Sequence, residues 1–211
     1  VINVKNMITM LKEHTEDDQD SLVSKIIDNL ELSSNRLDVT ITDLLILSKI
    51  EKVDEIRDQI RINDVLQSIV PEYQEELDGI GATLELSFRD DGTYSSFSEM
   101  VSVLQNLLTN SIKYRRLDVP LVIKVATYDE NGTMKVDYRD NGQGIDLKQF
   151  EGKLFSMFQR FTSDQSISGT GVGMYIIKRL IDKNNGKVKL ESEPNKGLRY
   201  LITLPSKLPK S

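Results

Sequence analysis

Three stretches of this sequence combine residue types and spacings that could act on one ligand. The first is Asp140-Asn141-Gly142-Gln143-Gly144-Ile145-Asp146, entered from the alternating run Met134–Arg139. The alternation predicts a strand with one buried face, ending in a turn that glycines must negotiate. Gly142 and Gly144 allow positive φ and the close approach of a bulky partner. Asp140, at the strand end, is placed to accept a hydrogen bond from whatever enters.

The second stretch is a helix opened by the capping box Ser96-Phe97-Ser98-Glu99. Met100, Val101, Leu104, Leu107, Leu108 and Ile112 form its apolar face. Opposite run Asn106, Asn110 and Lys113, spaced i, i+4, i+7. Asparagine is a mediocre helix former, so two on one stripe want a reason. Amide oxygens can complete the shell of a Mg²⁺ ion that takes its other ligands from phosphates and water. Lys113 adds a mobile positive charge for phosphate oxygens. A solvated helix face would carry the same residues, and the nearby glycine turn favours the ligand reading.

The third is Gly169-Thr170-Gly171-Val172-Gly173, which opens a helix predicted over Val172–Lys183 and closed by Asn184-Asn185-Gly186. A glycine-rich turn at a helix N-terminus is an electrostatic phosphate site. Before it stand Leu154–Phe161, with Phe155, Phe158 and Phe161 at i, i+3, i+6, and the polar stretch 162–168. Aromatic anchors, a tether and glycines together predict a lid.

Other nucleotide motifs fail on spacing. There is no Gly-x-x-x-x-Gly-Lys-Ser/Thr, and Leu147 and Met174 occupy the third glycine positions that a dinucleotide fingerprint requires. The formal charge of -6 argues against nonspecific nucleic-acid binding. The absence of cysteine excludes a disulfide framework and a cysteine metal site. No run of membrane-spanning length and no signal peptide is visible, which sets the expectation of a cytoplasmic chain.

These stretches need elements to position them. Val4, Met7, Ile8 and Leu11 predict an amphipathic helix, followed by an acidic turn from His14 to Asp20. A longer helix carries Val23, Ile26, Ile27, Leu30, Leu37, Ile41, Leu44 and Leu45, with Ser33 and Ser34 interrupting the seam. Two such helices cannot bury their stripes alone, and a second copy completing a four-helix bundle is the simplest partner. Packing of the hairpin on its own C-terminal domain is the alternative. His14, the single histidine, has no second ligand nearby and reads as a surface residue. A linker is expected near Val53–Arg61, which divides the chain into residues 1–57 and 58–211. Beyond it, Asn63 is expected to cap a helix over Asp64–Leu77 that Pro71 bends or interrupts. A strand is expected over Thr83–Phe88, and a hairpin over Leu121–Tyr128 and Thr133–Arg139 through an Asn-Gly turn. The fold class is α+β: a helical hairpin followed by an α/β sandwich with a mixed sheet and a lid.

In this order, Asn106–Tyr114, Asp140–Asp146, Leu154–Phe161 and Gly169–Gly173 resemble the N, first glycine, F and second glycine boxes of bacterial sensor histidine kinases. Lys187–Ser192, Glu193–Gly197 and Tyr200–Pro205 resemble that family's closing hairpin, and residues 1–50 resemble its dimerisation and phosphotransfer domain. The resemblance implies a Bergerat-type ATP-binding domain of the GHKL superfamily, with ATP and Mg²⁺ as cofactors. It places Asp140 on the adenine amino group and Asn110 in the Mg²⁺ shell. Asn106 and Lys113 fall near the phosphates, and Tyr114 near the nucleotide. Gly142, Gly144 and Ile145 would border the base, and Thr203 would approach it. Gly169, Thr170, Gly171, Val172 and Gly173 would wrap the phosphates. Phe155, Phe158 and Phe161, with Arg160 between them, would anchor the lid. The implied reaction is autophosphorylation of a histidine by a homodimer formed through residues 1–50, then transfer to an aspartate of a response-regulator receiver domain.

Two departures matter. Val1-Ile2-Asn3-Val4 looks like the segment two helical turns past the family's acceptor histidine, which sets the expectation that the acceptor precedes Val1. His14 is not in its place. Competing functions share parts of the pattern: an ATP-hydrolysing clamp, a serine kinase of the anti-sigma type, and a regulatory ATP-binding dimer without turnover. The first uses a glutamate where Asn106 stands here, and the second lacks a hairpin like residues 1–50.

Overall fold

The computed structural model describes residue 8 and residues 22–52, 56–89, 92–150, 152–159, 161 and 169–206. The expected acidic turn, His14, Arg160 and the polar stretch 162–168 lie outside the described residues, as does the first helix except for Ile8, which is helical and buried.

Helix α1 (Leu22–Lys52) runs unbroken through Ser33 and Ser34. Strand β1 (Asp58–Arg61) pairs antiparallel with β3 (Gly92–Ser95) in a two-stranded ribbon. The C-terminal half of the expected linker is therefore a strand, because Gln59 and Ile60 find backbone partners in Tyr94 and Thr93. The next helix, α2 (Ile62–Gly79), starts two residues earlier than expected, capped at Arg61 without a side-chain bond, so Asn63 is not the cap. It also runs through Pro71. That residue and Gln67 face solvent, so the carbonyl deprived of its helical donor can bond water.

A five-stranded sheet follows in the order β2-β4-β5-β7-β6, from β2 (Thr83–Phe88), β4 (Val122–Glu130), β5 (Thr133–Asp140), β6 (Lys187–Ser192) and β7 (Leu198–Pro205). Only β2–β4 is parallel, so the sheet is mixed and the fold α+β. The β4–β5 hairpin turns at Asn131 and Gly132, φ 57° and 78°, the left-handed pair an Asn-Gly hairpin turn demands. Helices α2, α3 (Phe97–Lys113) and α4 (Gly173–Lys183) supply the other half of the core. Their buried faces, such as Met100, Leu104, Leu107, Leu108 and Ile112 on α3, meet Val136, Tyr138, Tyr200 and Ile202 from the sheet. Along β7 burial alternates strictly: Leu198, Tyr200, Ile202 and Leu204 turn inward, and Arg199, Leu201, Thr203 and Pro205 turn outward.

Candidate nucleotide site

Helix α3 and the N-terminus of α4 lie side by side above the end of β5, and the space between them is a cavity of about 370 Å³. Asn106, Asn110, Lys113 and Tyr114 line it from α3 and its C-cap, Asp140, Gly144 and Ile145 from the strand end and turn. Gly169, Thr170, Gly171 and Gly173 close the opposite side. Three stretches distant in sequence thus share one cleft.

The Asp140 carboxylate is built in at one end. Its Oδ1 accepts from the backbone N–H groups of Gly142 (2.8 Å) and Leu198 (3.2 Å). Its Oδ2 accepts from the Ser111 hydroxyl at 3.0 Å, and Ser111 also meets the Tyr138 hydroxyl at 3.0 Å. Burial raises the Asp140 carboxyl above its ordinary range, and these three hydrogen bonds oppose the rise. A carboxylate offers about four lone-pair sites, so one on Oδ2 is left for an incoming donor.

Gly142 frames this carboxylate instead of lining the cavity: a Cβ there would lie 2.7 Å from the Tyr114 carbonyl oxygen and 2.9 Å from Asp140 Oδ1. Gly144 has φ +66°, and a Cβ on it would collide with the Glu193 carbonyl.

At the other end, Asn106 donates from Nδ2 to the Ser102 carbonyl (2.8 Å), which turns its Oδ1 toward α4. A Cβ on Gly173 would lie 2.8 Å from that oxygen. One on Gly169 would lie 3.3 Å from the Tyr114 hydroxyl and 3.5 Å from Lys113 Nζ. Small residues are what let α4's first N–H groups approach the asparagine stripe. Helix N-termini attract anions, and Lys113 lies on the same side. Among the described residues no three His, Cys, Asp or Glu side chains converge as a metal cluster. The amide donor set suits a hard cation that arrives with a polyphosphate and takes most ligands from it and from water.

Besides Gly142, four expected residues stand outside the cavity. Thr203 is on the outer face of β7, where its hydroxyl accepts from Lys135 Nζ at 3.2 Å, so it does not approach a base in the cavity. Phe158 is 58% exposed, with φ +60°, and does not line the cavity. Phe155 packs on the core without lining the cavity, whereas Phe161 lines it and stacks edge-on with Phe150 at 4.9 Å. Val172 caps α4, is fully buried in the core and does not line the cavity.

Sequence reading missed Tyr73, Thr109, Met174, Leu198 and Tyr200, which also line the cavity. For Leu198 and Tyr200 a signal existed: apolar residues at 200, 202 and 204 fix the inward parity of β7, and Thr203 has the opposite parity.

Residues 97–208 match the family of histidine kinase-, DNA gyrase B- and HSP90-like ATPases, and the chain belongs to that family. Among curated relatives, the sensor histidine kinase CpxA of Escherichia coli (strain K12) is 29% identical over 188 residues, 86% of this chain and 40% of CpxA. The chain spans less than half the length of the first curated relatives it matches. In fold it is similar to histidine kinase ThkA, solved in complex with response regulator protein TrrA (TM-score 0.69, 20% identity, 97% of this chain and 57% of that one). It is equally similar to full-length ShkA in complex with AMPPNP (TM-score 0.69, 16% identity, 94% of this chain and 41% of that one).

Proposed function

We propose that this chain is the catalytic core of a sensor histidine kinase that binds Mg-ATP and passes the γ-phosphoryl group to a histidine. The reading rests on the polarity of one cavity: an ionisable carboxylate at one end, and at the other two asparagines, Lys113 and a helix N-terminus. Asp140 accepts from the adenine amino group. Asn106, Lys113 and the Gly169–Gly173 segment face the phosphates. Mg²⁺, held by Asn110 and phosphate oxygens, neutralises charge on the transferring group.

Transfer to a protein nucleophile fits better than hydrolysis. Among the described residues lining the cavity, Asp140 is the sole carboxylate, and it stands at the base end with three bonds already made. The Asn106 amide has no basicity with which to deprotonate water. The acceptor we assign to a histidine N-terminal to Val1. A homodimer through residues 1–50, a response-regulator partner of the kind seen with ThkA, and the division at residue 57 complete the reading.

Calorimetric titration with ATP and Mg²⁺ tests the site. The wild-type chain is expected to bind, Asp140→Asn to lose at least about tenfold in affinity, and Asn110→Asp to weaken or abolish binding, its added carboxylate repelling the phosphates and disturbing the Mg²⁺ shell. Unchanged binding in both variants would refute the assignment. Label from γ-labelled ATP that is acid-labile and alkali-stable, in protein carrying the acceptor, tests the chemistry. Binding without such label would leave a regulatory nucleotide dimer instead.

A further inference from the structure

Tyr200 stands out on the cavity's inner wall. It lines the cavity from β7 and is 1% exposed, yet its hydroxyl has no hydrogen-bond partner among the described residues. Its neighbour on β5 is different: the Tyr138 hydroxyl is equally buried but is satisfied by Ser111. A buried hydroxyl left unpaired costs stability, so its persistence beside a ligand cavity calls for a ligand. Burial and then the negative charge of Asp140 hold the Tyr200 hydroxyl above its ordinary range, so it enters any contact as a neutral group with a proton to donate.

We propose that Tyr200 is a base-recognition residue, its hydroxyl donating to the purine ring nitrogen that flanks the amino group taken by Asp140. The inference rests on the nucleotide reading above and adds the donor that this reading lacks. Adenine presents its 6-amino donor between two ring acceptors, N1 and N7. A carboxylate with one free lone pair and a nearby hydroxyl donor form the complementary pair. Asp140 supplies the first and Tyr200 the second.

The test compares ATP, 1-deaza-ATP and 7-deaza-ATP, each with Mg²⁺, on the wild-type chain and on Tyr200→Phe. Removal of an unpaired hydroxyl should leave the melting temperature of the nucleotide-free protein unchanged or slightly higher. Tyr200→Phe is expected to weaken ATP about three- to tenfold. It should leave unchanged the affinity for whichever deaza analogue lacks the bonded nitrogen. Equal ATP affinity in wild type and variant overturns the Tyr200 assignment while leaving the nucleotide site standing. The same loss on all three nucleotides also overturns it, since the hydroxyl would then act through the protein and not on the ring. Failure of the wild-type chain to bind ATP removes both. Should the variant not fold, wild-type protein that binds both deaza analogues as tightly as ATP overturns the proposal by itself.

Discussion

Asp140 and Asp137 lie close together on β5 and their environments push them in opposite directions. Burial lifts the Asp140 carboxyl, so its folded value exceeds the unfolded one. A group shifted that way favours the folded state at low pH and loses that contribution as pH rises through the raised value. At neutral pH its charge is therefore held at a cost to stability. Asp140→Asn should fold at least as stably as wild type at pH 7, because the amide oxygen can still accept from Gly142 and Leu198 and Ser111 can reverse its bond. Nucleotide affinity should fall, as above, and wild-type affinity should fall on acidification through the raised value. Thermal melts beside titrations at several pH values check both, and a large loss of stability in Asp140→Asn would sink this account. Asp137 is the contrary case. Burial would raise it, but hydrogen bonds from Arg139 (2.9 and 2.6 Å) and Arg199 (3.0 and 2.8 Å) outweigh burial and hold it at about 2. Its contribution is complete above the unfolded value near 3.8 and is lost as pH falls through about 2. That corresponds to at most ~2.5 kcal/mol, and screening at the half-exposed Arg139 brings it to about 1 kcal/mol. In urea unfolding, the gap between wild type and Asp137→Asn should stay constant from neutral pH to about pH 5 and narrow below 4.

The elements meet through one buried polar cluster that the sequence conveyed only in part. Ser96 caps α3 as expected, its hydroxyl accepting from Glu99 N–H at 3.3 Å. Glu99 turns into the core, pairs with Lys183 Nζ at 2.9 Å and accepts from Asn184 Nδ2 at 2.6 Å. Asn184 Oδ1 in turn accepts from the Ser95 hydroxyl (2.7 Å) and Ser96 N–H (3.3 Å). The cap of α3 is thus tied to the C-terminus of α4, and Arg57 adds a bond to the Lys183 carbonyl at 2.6 Å. Asn184→Ala would leave Glu99 with Lys183 alone and remove the buried acceptor of the Ser95 hydroxyl and the Ser96 N–H. It should cost roughly 2–4 kcal/mol in urea unfolding, and a loss below about 0.5 kcal/mol would show that the cluster is dispensable. Local patterns such as the Asn131-Gly132 turn, the Thr83–Phe88 strand and the α3 apolar face were legible because their causes lie within a few residues. Glu99's partners are about 85 positions away, and no local pattern announces them. Thr203 differs for another reason: its hydroxyl suits contact with a base, but its parity on β7 turns it to the outer face. Phe158 shares its spacing with Phe155 and Phe161, yet the chain there runs through turns instead of a helix, so equal spacing does not mean one face.

At the scale of the whole molecule, α1 is the element least accounted for by the chain itself. It touches the rest of the fold at its C-terminal end, where Leu47 packs on the core. Earlier along it, Ile27 and Ser34 are buried, but Ile26, Leu30, Leu37, Ile41, Leu44 and Leu45 are 44–59% exposed. Leu30, Leu37 and Leu44 repeat every seven residues, the spacing of a helix-packing seam. A row of this kind is more apolar surface than a soluble monomer ordinarily leaves in water, and two-fold pairing with a second copy covers it twice over. The proposed homodimer should therefore depend on this row. Leu37→Glu combined with Ile41→Glu removes two apolar contacts per protomer and puts charge into the seam. Each lost side chain is worth ~1.5 kcal/mol or more, so dimerisation should weaken at least a hundredfold. Sedimentation equilibrium over a concentration series would measure it, with ATP titration of the same variant as the control. The cavity lies between α3 and α4, and Thr42 is the single described α1 residue lining it, so nucleotide affinity should survive the double substitution. A variant that stays dimeric would show that the exposed row is covered by something other than its own copy. One that becomes monomeric and also loses nucleotide would mean that α1 shapes the cavity more deeply than Thr42 alone suggests.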